Sequence, residues 1–72
     1  MNKYDTLCSK CIRVIKSCNT SKQLRVAHRF TKRVLKRLDR ETSISLYKDI
    51  CRLGVFNKDQ RDSLYWHGVV RW

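Results

Sequence analysis

The stretch SKQLRVAHRFTKRVLKRLDR, Ser21 to Arg40, constrains this chain more than any other. Turned at about 100° per residue, it puts Leu24, Ala27, Thr31, Val34, Leu35 and Leu38 on one side, with Phe30 at the margin. Arg25, Arg29, Arg33 and Arg37 form an i, i+4 ladder on the other side. Lys32, Lys36 and Arg40 form a second ladder beside it. This period predicts one helix over the whole stretch, about 30 Å long. Like charges at i, i+4 cost a helix roughly 0.2–0.5 kcal/mol per pair. A sequence that stacks so many tolerates repulsion that a bound polyanion relieves. The plain alternative is a solvated face, but such faces interleave both signs, and here only Asp39 interrupts.

The basicity belongs to this element rather than to a tail: it holds eight of the seventeen Lys and Arg. A formal charge of +11 on 72 residues points to a polyanionic partner. The length predicts a single basic helical domain over residues 1–72 with a thin core. No apolar run approaches the roughly 18 residues that span a bilayer. Lys10, Arg13 and Lys16 interrupt the N-terminal apolar pattern, where a signal peptide's central region carries no charge. The expected location is therefore the cytoplasm, and its reducing conditions predict thiols for the four cysteines.

With no proline and two glycines, the composition favours helices throughout. The first is expected from about Lys3–Asp5 to Cys18, with Tyr4, Leu7, Cys8, Cys11, Ile12, Ile15 and Cys18 on its apolar stripe. Lys10, Arg13 and Lys16 lie on its opposite face and extend the basic surface. Asn19-Thr20-Ser21 breaks the pattern, and Thr20 with Gln23 spells a capping box. So short a connection predicts an antiparallel hairpin of helices one and two. Glu41-Thr42-Ser43 reads as the next break, with Thr42 or Ser43 as cap. A third helix to about Leu53 then buries Ile44, Tyr47, Ile50 and Cys51, and Gly54 closes it in the left-handed conformation. Asn57 caps a short fourth helix from Lys58 to about His67, stopped by Gly68. The expected architecture is all-α: three main helices and a short fourth. The tail Val69 to Trp72 reads as a core strap or a contact.

Cys8-Ser9-Lys10-Cys11 is a C-x2-C pair, and a zinc site built on it draws on Cys8, Cys11, Cys18 and Cys51, with His28 and His67 as further donors. A second C-x2-C or an H-x3-5-H is missing, and all four cysteines sit where a helix needs a small apolar residue. The expectation is core packing without metal or other cofactor. His28 falls between the apolar and basic faces, within reach of a phosphate; His67 suits a helix C-terminus. A Cys–His nucleophile lacks an orienting partner, and no carboxylate pair marks a hydrolase, so the chain reads as non-enzymatic.

Residues 45–68 have the spacing of a helix-turn-helix, with Lys58, Gln60 and Arg61 aimed at bases, but Asp59 and Asp62 put negative charge in the recognition helix. Trp66, Trp72, Tyr65 and Phe56 supply either core volume or a stacking surface. Trp72 is the aromatic expected to touch a partner. The leading expectation is a nucleic-acid-binding protein, for RNA or DNA alike, that grips phosphates with Arg25, Arg29, Lys32, Arg33, Lys36, Arg37 and Arg40. The rival is a small helical adaptor or inhibitor, of a type used by viruses and mobile elements, docking the same face on an acidic protein surface.

Overall fold

The computed structural model describes residues 4–70. It is an all-α bundle: α1 (Asp5–Lys16), α2 (Ser21–Arg37), α3 (Arg40–Leu53), α4 (Lys58–Leu64) and a π turn (Tyr65–Val69). α2 is the hub, with α1, α3, α4 and the π turn all packed on it. Antiparallel α1 and α2 form the expected hairpin.

Local chemistry explains most boundaries. Asp5 in the first turn of α1 and Arg13 and Lys16 in its last turn complement the helix dipole. α1 stops two residues before Cys18, because the Ser17 N–H folds back onto the Arg13 and Val14 carbonyls at 3.1 and 3.3 Å. Thr20 caps α2, its Oγ1 accepting from the Gln23 N–H at 3.1 Å. The return bond of the expected box goes one residue further back, from the Asn19 N–H to Gln23 Oε1 at 2.7 Å. Gly54 closes α3 at φ 68°. Asn57 and Gln60 make a complete reciprocal capping box at α4.

The helix expected through Arg40 ends at Arg37. Leu38 is extended (ψ 158°) yet buried, and Asp39 caps α3 by accepting from the Thr42 N–H at 2.8 Å. The break lies at Asp39, not at Glu41-Thr42-Ser43. A short acceptor satisfies an N-terminal donor that continuing α2 would not expose. α3 buries Ser43, Leu46 and Ile50, a stripe rotated by about one residue from the expected one; Ile44, Tyr47 and Cys51 are half-buried. Ser43 is tolerated inside because its hydroxyl donates to the Leu35 carbonyl at 3.2 Å.

Gly68 does not stop a helix but sits buried within the π turn, where the Val70 N–H reaches the Tyr65 carbonyl at 2.9 Å. A Cβ at Gly68 would stand 3.0 Å from Cβ and Cδ1 of Leu35. This glycine sets the approach of the π turn to α2. Gly68→Ala is therefore expected to cost about 1–2 kcal/mol, overpacking outweighing the gain in helix propensity. A raised melting temperature would contradict that close approach.

Cys11, Ile15, Ala27, Val34, Leu35, Leu38, Leu46, Ile50, Phe56, Leu64 and Val69 form the core. Two polar groups join it in a chain: Cys11 Sγ donates to Thr31 Oγ1 (3.4 Å), which donates to the Ala27 carbonyl (2.7 Å). Phe56 is core, as a volume role requires, whereas Tyr65 and Trp66 are exposed. Val69 packs inside as a strap, while Arg71 and Trp72, the suspected contact, lie outside the described residues.

Candidate nucleic-acid interface

The buried stripe of α2 fixes the direction of everything else on it. Because Ala27, Thr31, Val34 and Leu35 face inward, Arg25, Arg29, Arg33, Lys36 and Arg37 are exposed and Lys32 is half-buried at the edge. At about 1.5 Å per residue, the four arginines repeat every 6 Å or so along roughly 18 Å of helix. None of these cations takes part in an ion pair among the described residues; the pair present, Arg52–Asp49 at 3.8 Å, lies on α3. Arg40, expected on the second ladder, belongs to the first turn of α3 instead. Lys10, Arg13 and Lys16 are exposed on α1. A mostly apolar groove lined by Val14, Cys18, Val26 and Ala27 runs between α1 and α2.

The cationic face is not uniform. Arg25, His28, Arg29 and Lys32, spaced i, i+3, i+4, i+7, line a cleft of about 290 Å³ closed on its far side by Gln60 of α4. His28 is held there: its Nε2–H donates to the Gln60 carbonyl at 3.1 Å, and its ring meets Phe56 edge-on at 5.6 Å. A carbonyl only accepts, so the proton of the neutral ring sits on Nε2. Acidic residues collect elsewhere. Asp5, Glu41 and Asp49, far apart in sequence, line a second cleft between α1 and α3 with Cys8 and Thr42. The two clefts share no residue, so three of the six acidic residues lie apart from the cationic cleft, while Asp59 and Asp62 stay on α4.

The cysteines do not converge. Cys11 is in the core, Cys8 beside the acidic cleft, Cys18 past the end of α1 with its Sγ donating to the Val14 carbonyl at 3.3 Å, and Cys51 on α3. Burial pushes the Cys11 thiol up, against the opposing Thr31 bond. Burial first, then Asp5, Asp49 and Asp39, push Cys8 up. Both shifts disfavour the free thiolate. Among the described residues no group of three or more His, Cys, Asp or Glu is placed to hold a metal ion.

Of the three side chains that the helix-turn-helix reading aims at bases, Gln60 is engaged through its Oε1 in the α4 cap and through its backbone in the seam with α2, Arg61 is half-buried with its Nε enclosed, and Lys58 is exposed. Asp59 and Asp62 stay exposed on α4.

The late aromatics divide between the two roles open to them, Phe56 inside and Tyr65 and Trp66 at the surface. Trp66 is 61% exposed, its ring edge-on to Tyr65, which in turn meets Tyr47 at 5.4 Å. Aromatic content suggests core volume. Only the π turn, which rotates the chain after Leu64, shows which rings face out.

No helix of the described residues is long and apolar enough to cross a membrane. The chain matches no protein-family model, no curated protein and no solved structure.

Proposed function

We propose that this protein is a non-enzymatic nucleic-acid-binding module that grips the phosphate backbone with the cationic face of α2. The observation that carries this reading is the row Arg25, Arg29, Arg33 and Arg37, exposed and without acidic partners among the described residues. Its rise of about 6 Å per arginine is close to the spacing of successive phosphates along a strand. Side chains that meet phosphates position a protein without reading bases, so RNA and DNA of unrelated sequence are bound alike. Lys32 and Lys36 widen the contact, and the exposed Lys10, Arg13 and Lys16 of α1 add long-range attraction.

Titrating unrelated RNA and DNA oligomers against the protein tests this. Binding is expected at about 50 mM salt, weakening with a log–log slope near −0.9 per phosphate contact on duplex DNA. With about four to six contacts, affinity falls by two to three decades up to about 200 mM. No binding to any oligomer at low salt would remove the reading.

A second reading is an adaptor or inhibitor whose basic face docks on an acidic surface of a larger protein; the exposed Trp66 and Tyr65 on the π turn are a further aromatic surface of the kind that dominates protein–protein hot spots. Recovery of one such protein from lysate after nuclease treatment, lost on reversal of the α2 arginines, would put it first.

A further inference from the structure

Within the cationic face, the cleft between α2 and α4 differs from the open ladder. Three cations, Arg25, Arg29 and Lys32, converge there with the His28 ring, and among the described residues no acidic side chain lines it. The far wall is held by hydrogen bonds. Gln60 has its N–H on Asn57 Oδ1 (2.8 Å), its Oε1 on the Asn57 N–H (3.0 Å) and its carbonyl on His28 Nε2–H (3.1 Å). The polar group left to Gln60 is its side-chain NH2, a donor. Apart from the second His28 nitrogen, the lining polar groups not otherwise engaged are all donors: two guanidinium groups, an ammonium and an amide. A set so dominated by cationic donors favours an anion.

Charge selects which anion. The cleft, about 290 Å³ and open to solvent, is large enough for a single phosphate group. A phosphate monoester carries about −1.5 to −2 charge near neutral pH, against −1 for a bridging diester, so it gains most from converging cations. From this convergence we infer that the α2–α4 cleft is a phosphate-monoester site, taking the terminal phosphate of a nucleic-acid strand or, by the same chemistry, free phosphate. The strand-end form rests on the proposed reading of the α2 face; the cleft's affinity for phosphate does not.

Two measurements decide it. The first is fluorescence anisotropy with one single-stranded oligomer carrying either a 5′-phosphate or a 5′-hydroxyl. The phosphorylated strand is expected to bind about tenfold tighter, the gain of a few charge-assisted hydrogen bonds. Lys32→Gln should erase that preference, whereas Lys36→Gln, outside the cleft on the same helix, should weaken both strands equally. Arg25→Gln, at an exposed side chain, repeats the test without disturbing packing. The second is the NMR response of the His28 ring to inorganic phosphate. A shift of His28 together with the end preference supports the strand-end site. A shift without preference supports a site for free phosphate and removes the strand end. Neither shift nor preference overturns the inference and leaves the ladder reading intact. Failure of every oligomer to bind removes that reading instead, while the His28 response still decides the cleft.

Discussion

Replacing Arg29 and Arg33 together by glutamate is expected to lower affinity for RNA and DNA oligomers about a hundredfold at low salt, and for all sequences alike. Two phosphate contacts disappear and two repulsive charges replace them. The salt slope should flatten by about 1.8, the share of the two lost contacts. Unfolding does not explain such a loss, because both side chains are exposed. The helix itself gains: of the three like-charge pairs Arg25–Arg29, Arg29–Arg33 and Arg33–Arg37, the outer two become attractive. At roughly 0.2–0.5 kcal/mol per pair, that is about 1 kcal/mol in favour of α2. Circular dichroism of the variant should therefore show undiminished helix while anisotropy shows the lost binding. An unchanged affinity, or a slope as steep as before, would place the contact surface elsewhere on the molecule.

Leu35→Ala is expected to destabilise the fold by about 3 kcal/mol, from lost burial plus an uncollapsed cavity. Leu35 is fully buried in the last turn of the hub helix, and the π turn closes directly over it at Gly68. For a domain of this size the loss corresponds to a melting temperature about 12–24 °C lower. Total stability at this length is about 4–11 kcal/mol, so the variant stands near the limit of folding. Leu24→Ala, half-buried on the same stripe, should cost markedly less. Coupling is expected as well: Gly68→Ala should be cheaper in the Leu35→Ala background, where space for its Cβ has opened. Additive effects in thermal melts would show that the π turn does not rest on Leu35 as the 3.0 Å approach implies.

Reading the α2 face required little beyond the helical period. The positions of Ala27, Thr31, Val34 and Leu35 dictate which side is wet, and the arginine ladder follows as its complement. The caps at Thr20, Gly54 and Asn57 were legible for the same reason, since a cap is satisfied within three or four residues of sequence. Asp39 was legible in principle, as an acceptor three residues before the Thr42 N–H, but it lay inside a charge run that continued the α2 pattern.

Tertiary structure decided what depends on neighbours distant in sequence. Hydropathy does not rank Ser43 as core, because its burial is compensated by a carbonyl eight residues away on another helix. Trp66 looks like core volume until the π turn, stabilised by Gly68 against Leu35, rotates it outward. The α2–α4 cleft exists because the Gln60 carbonyl meets His28 across 32 residues, turning one edge of a uniform ladder into a walled site. Sequence alone determined the number of helices, the caps at Thr20, Gly54 and Asn57 and the sign of the surface, all of which arise from interactions within a few residues. Where charge converges rather than merely repeats was set only by packing, because convergence requires a second wall and the chain supplies that wall from α4.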